Sequence, residues 1–208
     1  MNKKIIRNNV VMLIIEFSIL FLGFSNSFKV LGNDLDTGVS IKSQQQENTY
    51  SIHTLSSYKQ KLSDYEFNCL IKKIYDCTDF INNNYPMHKR WFFEKLIPNI
   101  GNKTREVLFI TNLENNIVAL SALKNEENEK KICTLFVVEN FQGLGLGSKL
   151  IESSMNFLGT TKPLITFSED KLHMFKKFIN KYQWELYEKV NIYGNKYLEL
   201  CYNGYLSK

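Results

Sequence analysis

One segment, residues 132–151, constrains the fold of this chain more than any other. It begins with an apolar run rich in β-branched and aromatic residues that stops at Glu139, which is typical of a buried strand. Glycines follow at alternate positions 143, 145 and 147, and apolar residues then recur at helical spacing: Leu150, Ile151, Met155 and Leu158. A glycine loop at a helix start lets backbone N–H groups and the positive end of the helix dipole approach a ligand. The segment therefore predicts a site for an anion, most naturally a phosphate.

Two common phosphate-binding motifs do not fit this loop. A dinucleotide fingerprint, G-x-G-x-x-G, needs a further glycine where the chain has Ser148 or Leu150. A Walker A loop counted from Gly143 also needs a glycine at position 148. A glycine-rich turn between an unrelated strand and helix remains the alternative at this point.

The hexapeptide 142–147, Q-G-L-G-L-G, resembles the Q/R-x-x-G-x-G/A signature of the GNAT superfamily of acyl-CoA-dependent N-acyltransferases. The strand before it and the S-K-L-I sequence after it are also similar to that family. Over residues 49–202 the predicted element order, β-α-α-β-β-β-α-β-α-β-β, is the order expected of a GNAT domain. The resemblance implies an α/β (α+β) fold: a mixed, mostly antiparallel twisted sheet with a splayed central strand pair, flanked by about four helices.

Local signals place the elements outside the glycine segment. Ser63 and Glu66 form a capping box ahead of a helical apolar pattern, and residues 88–96 predict a second short helix in which His88 is solvated or caps. Asn115 suits a tight hairpin turn, and the charged stretch 125–130 predicts a second turn before the strand that leads to the glycine loop.

The resemblance also implies a cofactor and its binding residues. In the family, the splayed strands leave a slot in which the pantetheine arm of acetyl-CoA pairs with exposed backbone. The implied lining of that arm is Leu135, Phe136, Val137 and Val138. The implied pyrophosphate site is Gln142, Gly143, Leu144, Gly145, Leu146, Gly147 and Ser148. A backbone N–H near Val137 would polarise the thioester carbonyl, an effect typically of about 3 kcal/mol, while a neutral amine attacks and the CoA thiolate leaves.

The acid and base are less well indicated. Many family members carry a tyrosine where this chain has Ile179, so the usual proton donor to the thiolate is missing. Ser168 is the candidate in its place, with a helix N-cap as the alternative role, and Tyr182 or solvent are further donors. Glu139 is the base candidate nearest in sequence, although a solvated loop residue is the alternative. Cys133 lacks an indicated histidine partner, which favours packing over nucleophilic catalysis.

Composition excludes several classes of protein. The net charge of +5, from 26 basic and 21 acidic residues, is spread along the chain and forms no nucleic-acid arm. Cys69, Cys77, Cys133 and Cys201 are widely spaced and show no metal-ligand pattern, so we expect reduced, mostly buried thiols and no metal. No nucleic-acid partner is expected.

The first 32 residues resemble a signal peptide or short membrane anchor, because basic residues precede an apolar run. Glu16 within that run would cost about 2 to 3 kcal/mol at a membrane centre. Export would also separate the domain from acyl-CoA. We therefore predict an apolar segment at 1–32, a polar linker at 33–48, a catalytic domain at 49–208 and a cytoplasmic location, leaving weak membrane association of the first segment and a homodimer open.

Three functions remain open from the sequence. The favoured one is an N-acetyltransferase that moves an acetyl group from acetyl-CoA to a primary amine of a small molecule or protein in a ternary complex. The alternatives are a catalytically weak acyl-CoA-binding module and a toxin-like acetyltransferase acting on aminoacyl-tRNA. The sequence does not name the amine.

Overall fold

The computed structural model of the chain describes residues 50–83, 85–191 and 196–206. The predicted segments 1–32 and 33–48 lie outside these residues. None of the described helices is long and apolar enough to cross a membrane.

The described residues form a seven-stranded sheet with the order β1-β2-β3-β4-β5-β7-β6. Its strands are β1 (Ser51–Thr54), β2 (Arg105–Thr111), β3 (Ile117–Glu126), β4 (Glu129–Val137), β5 (Leu164–Ser168), β6 (Leu186–Val190) and β7 (Glu199–Tyr202). All neighbours pair antiparallel except β4 and β5, which are parallel. The mixed, mostly antiparallel sheet predicted from the sequence is confirmed.

Five α-helices accompany the sheet in the described part of the chain, rather than about four. They are α1 (Leu55–Lys59), α2 (Asp64–Asp76), α3 (His88–Trp91), α4 (Leu146–Leu158) and α5 (Leu172–Tyr182). The predicted capping box begins α2, with reciprocal bonds between Ser63 and Glu66. α3 continues as the π turn Phe92–Leu96 and the 3-10 turn Ile97–Asn99. α1 was not predicted, because five residues are too few to show a helical period.

Two apolar cores lie on opposite faces of the sheet, because side chains alternate along each strand. The core under α4 and α5 includes Ile132, Leu150, Ile151, Ile165, Phe178 and Leu200. The core under α2 and α3 includes Ile74, Phe92, Leu96, Phe109 and Leu120. The described sheet is therefore the middle layer between two groups of helices.

A bulge in β4 opens the centre of the sheet. The register between β3 and β4 slips so that Ala122 faces Thr134 and Leu123 faces Ile132, which leaves Cys133 without a partner in β3. A bulge bends its strand and interrupts the ladder. β4 consequently pairs with β5 only as far as Ile132↔Ile165, although β4 continues to Val137. The predicted splayed strand pair is present.

The turn predicted at 125–130 is present but shorter than expected, because the two strands continue into it. Glu126 pairs with Glu129, so that residues 127 and 128 form the turn. The charged side chains suggested a longer loop, but they pair across the hairpin. Lys124 Nζ lies 2.7 Å from a Glu129 carboxylate oxygen. Opposite charges that pair across two strands stabilise a β-ladder, so a charged stretch does not by itself indicate a loop.

The prediction that His88 is solvated or caps a helix is also wrong. Its side chain is 7% exposed, and its ring stacks near Tyr75 and Trp91. Because the Thr78 hydroxyl donates to the Tyr75 carbonyl, His88 Nε2–H is the donor in the 3.1 Å bond to Thr78 Oγ1. Burial lowers the pKa of His88, which keeps the imidazole neutral.

Candidate active site

The glycine loop joins β4 to α4 along an open, left-handed path. After the 3-10 turn Glu139–Phe141, Gly143 and Gly145 have φ angles of 79° and 81°, a region that other L-residues rarely adopt. A Cβ at either glycine would meet no atom within 4 Å. Gly145 is the N-cap of α4, so the unpaired N–H groups of the first helical turn follow directly from the open loop.

Gln142 ties this loop to the end of β4. Its side-chain Nε2 donates to the Val137 carbonyl oxygen over 3.1 Å. Gly147 lies inside the first turn of α4, where a Cβ would be 3.7 Å from Val137 Cγ2. Leu146, 4% exposed, anchors the same turn in the core. The Gln142 side chain therefore links the loop to the strand, whereas a Cβ at Gly147 would make only an ordinary contact with Val137.

Backbone groups of β4 border the gap between β4 and β5. The Val138 N–H donates to the Val118 carbonyl of β3. Because hydrogen bonding alternates along an antiparallel pair, Val137 and Leu135 direct their N–H and C=O groups away from β3. Both residues lie beyond Ile132, where the ladder with β5 ends. The side chain of Phe136 points to the face of the sheet opposite to Leu135 and Val137, and its ring centroid lies 5.1 Å from that of Phe80.

Positive charge surrounds the start of α4. Lys177 of α5 places its Nζ 3.2 Å from Ser148 Oγ, and Lys149 is exposed in the same helical turn. The first turn of α4 contains no acidic residue. The helix dipole adds about half a positive charge at this end. Lys177 was missed by the sequence analysis, because nothing in the pattern of α5 relates it to a loop some 30 residues earlier.

Ser168, the predicted proton donor, ends β5 and hydrogen-bonds to the Asp170 carboxylate. Burial acts to raise the pKa of Asp170, but the bonds from Ser168 and Lys171 outweigh burial and lower that pKa. The Ser168 side chain makes no cap bond to the 3-10 turn Glu169–Lys171 that follows.

The other sequence-predicted groups lie in different environments. Tyr182 donates its hydroxyl to Glu152 Oε1 on α4, and Ile179 packs at the margin of the core. Glu139 is exposed in the 3-10 turn beyond β4. Burial raises the pKa of the Cys133 thiol to about 11, which keeps it protonated and unsuited to nucleophilic attack.

The cysteines and the acidic residues do not assemble a metal site in the described part of the chain. No three or more histidine, cysteine, aspartate or glutamate side chains lie there in an arrangement that could hold a metal ion. The four cysteines are free, and Cys69 is exposed rather than buried as expected.

A buried carboxylate that the sequence analysis missed lies beside Ser168. Glu199 opens β7, is 4% exposed and pairs with Ser168 across the β5–β7 ladder. The Tyr85 hydroxyl donates to its Oε1 over 2.8 Å. Burial raises the pKa of Glu199, while the Tyr85 bond and the Lys131 charge partly oppose the rise. The two partners are 114 residues apart, so no local pattern relates them.

Comparison with solved structures shows that the chain has the GNAT fold. An acetyltransferase from Streptococcus agalactiae 2603 is 14% identical, with 74% of this chain and 97% of that chain aligned and a TM-score of 0.53. A GNAT family acetyltransferase from Bacillus cereus ATCC 10987 is 12% identical, with 74% and 96% aligned and a TM-score of 0.50. The GNAT resemblance expected from the loop signature is confirmed at the level of the fold.

The chain spans less than two thirds of the length of some acetyltransferases to which its structure is similar. This chain covers 65% of a nourseothricin acetyltransferase, which aligns with 49% of this chain at 9% identity and a TM-score of 0.42. Similar GNAT acetyltransferases include crystal structures with acetyl-CoA bound. No protein-family model and no curated protein matches the sequence.

Proposed function

We propose that the chain is an acyl-CoA-dependent N-acetyltransferase that transfers an acetyl group from acetyl-CoA to a primary amine. One observation carries the proposal: the left-handed glycine loop at the start of α4 adjoins the open edge of β4 where β4 and β5 diverge. An anion site and an unpaired strand edge, side by side, match the two polar parts of acetyl-CoA, its pyrophosphate and its amide-containing pantetheine arm.

Each part of the site has a role in this proposal. The loop N–H groups, the α4 dipole and Lys177 hold the pyrophosphate. The backbone of Leu135 hydrogen-bonds the pantetheine amides as an added strand would. The Val137 N–H stabilises the oxyanion that forms when the amine attacks the thioester carbonyl. The amine nitrogen then carries the acetyl group, and CoA leaves as the thiolate.

The proposal is tested by acetyl-CoA binding to a Gly145→Asp variant, measured by titration calorimetry. Aspartate at this position adds a side chain in a left-handed conformation and a negative charge in the phosphate site, so we expect binding to fall at least about 100-fold. Gly159→Asp is the matched control, because Gly159 is also left-handed (φ 65°) but caps the opposite end of α4. That control should lose stability and keep its affinity for acetyl-CoA. Equal affinity of the wild type and a folded Gly145→Asp protein would reject the proposed cofactor site.

A binding module without turnover is the principal alternative. No described contact favours it, and it differs from the enzyme in one measurement. An enzyme releases free CoA thiol in the presence of acetyl-CoA and an amine, whereas the module binds acetyl-CoA without amine-dependent release.

A further inference from the structure

Glu199 points to one defined face of the sheet. Along β7, Leu200 and Tyr202 point into the core under α4 and α5. Side chains alternate along a strand, so Glu199 points to the face covered by α2 and α3. The bond from Tyr85, which precedes α3, places the carboxylate on that face directly.

Ser168 shares this face with Glu199. Phe167 enters the core under α4 and α5, so its neighbour Ser168 points the other way. Ser168 and Glu199 are direct partners in the antiparallel ladder of β5 and β7, which puts their Cβ atoms about 5 Å apart. Ser168 ends β5 and Glu199 opens β7, so both lie beyond the Ile132↔Ile165 pair at which the β4–β5 ladder ends. A carboxylate and a hydroxyl therefore lie together past the point where β4 and β5 diverge, on the face of the sheet opposite α4 and α5.

Glu199 is costly to maintain as a purely structural group. A buried carboxylate must be neutralised or well hydrogen-bonded to avoid a large desolvation cost. Among the described residues, Glu199 forms none of the ion pairs, and its described hydrogen bond is the one from Tyr85 to Oε1. The charges that act on it are Lys131 of β4, which favours its ionised form, and Asp170 after β5, which disfavours it. A cationic ligand beside Glu199 would offset the desolvation cost of its ionised form.

We propose that Glu199 is the acceptor-binding and general-base residue: its carboxylate binds the ammonium form of a primary amine and removes the proton that blocks attack. The inference rests on the proposed acetyl transfer. It replaces Glu139, whose side chain is exposed beyond the strand end. Tyr85 is a positioning residue, because it touches Glu199 and not the amine.

The proton and electron balance of this step is simple. Glu199 takes one proton from R–NH3+, and the freed lone pair forms the C–N bond to the thioester carbon. The C–S bond then breaks with its electron pair on sulfur. The surplus proton on nitrogen passes to the thiolate, giving the amide and CoA–SH, and Glu199 releases its own proton to solvent.

The first experiment compares turnover of the wild type with that of Glu199→Gln. The probes are benzylamine, spermidine and a lysine-containing peptide, each with acetyl-CoA, and free CoA thiol is the readout. Glutamine keeps the shape and still accepts the Tyr85 bond, but it cannot take a proton. We expect kcat to fall about 100-fold or more with the best probe, with the calorimetric affinity for acetyl-CoA within about twofold of wild type.

Glu185→Gln is the matched control, because Glu185 is exposed beside the start of β6 and should leave kcat unchanged. An unaltered kcat in Glu199→Gln would overturn the inference. So would a wild type that binds acetyl-CoA but acetylates none of the three probes. A wild type that does not bind acetyl-CoA contradicts the proposed function instead, so the two failures are distinguishable.

The Tyr85→Phe variant provides a second test, the pH dependence of kcat/KM. A purely structural role of Glu199 would leave that pH dependence unchanged. The Tyr85 hydroxyl favours the ionised carboxylate, so removing the hydroxyl raises the pKa of Glu199. The acidic limb of the kcat/KM profile should then move to higher pH by about one unit. Lys131 and Asp170 remain in place in this variant. An acidic limb that stays fixed, or that moves to lower pH, would overturn the assignment of Glu199 as base.

Discussion

Individual residues near the slot offer few sources for the proton that the departing CoA thiolate would need in the proposed acetyl transfer. Ile179 stands where many family members carry a tyrosine, and the Tyr182 hydroxyl is bonded to Glu152. Ser168 is placed at the end of β5, but it already interacts with Asp170. A thiol with a pKa near 8.5 is a tolerable leaving group without an acid. The proposed reaction would therefore depend less on a strong acid than on delivery of a neutral amine.

We predict that Ser168→Ala lowers kcat by less than about 100-fold and leaves the KM for acetyl-CoA nearly unchanged, because the hydroxyl assists only proton transfer. Ile179→Tyr should give an equal or higher kcat. Steady-state kinetics with an accepted amine measures both, and Ser153→Ala on α4 is the serine control. If kcat is unaffected by Ser168→Ala, the thiolate takes its proton from water and Ser168 serves only Asp170.

Single-residue environments were the hardest feature to predict from the sequence. Neighbours of His88 in the chain, Lys89 and Arg90, are charged, which suggested solvent exposure. Its burial comes from packing with Tyr75 and Thr78, more than one turn away in another element. Glu199 depends on a partner 114 residues distant. Periodicity reports which face of an element is apolar, but not which polar side chain a distant segment will cover.

Among the secondary-structure elements, α5 contributes a side chain to the candidate anion site formed by the glycine loop and α4. α5 packs beside α4 and carries Lys177 to the first turn of α4, where its Nζ lies 3.2 Å from Ser148 Oγ. The ammonium thus adds a side-chain charge to a candidate anion site whose other donors are backbone N–H groups. Lysine is suited to this role, since it acts on phosphate as a point charge.

We predict that Lys177→Gln weakens acetyl-CoA binding about three- to tenfold, because one positive charge leaves the pyrophosphate site. Calorimetry at low and high salt is the measurement, and the difference from wild type should shrink as salt rises. Lys176→Gln is the adjacent control, because it removes the same charge from a neighbouring exposed position of α5. Equal losses in both variants would mean that only the overall charge of α5 matters.

The elements that the sequence predicted best are those specified locally. Alternating apolar residues, Asn115 with its positive φ, the Ser63 capping box and Gly159 at the end of α4 each determine structure within a few residues. The pairing of β7 with β5 was not predictable in this way, because antiparallel partners are selected by long-range packing. For the same reason, the sequence did not predict that β7 lies between β5 and β6 in the sheet.

At the scale of the whole molecule, residues 50–206 contain both cores and the candidate site within their described parts. We predict that deletion of residues 1–32 leaves a soluble, folded protein that binds acetyl-CoA as the full chain does. Thermal unfolding and calorimetry of both proteins measure this. Precipitation or lost binding in the truncated chain would place part of the domain before residue 33.

The β4 bulge at Cys133 has a consequence for how such a chain diverges. It directs the main-chain N–H groups of Leu135 and Val137 and the Leu135 C=O away from β3, while the Val137 C=O accepts from Gln142. Every amino acid except proline supplies both main-chain groups. A slot made from the main chain restricts side-chain identity only where a glycine angle or a close approach is required. Substitutions can therefore accumulate around it until 14% identity remains with a protein of the same fold.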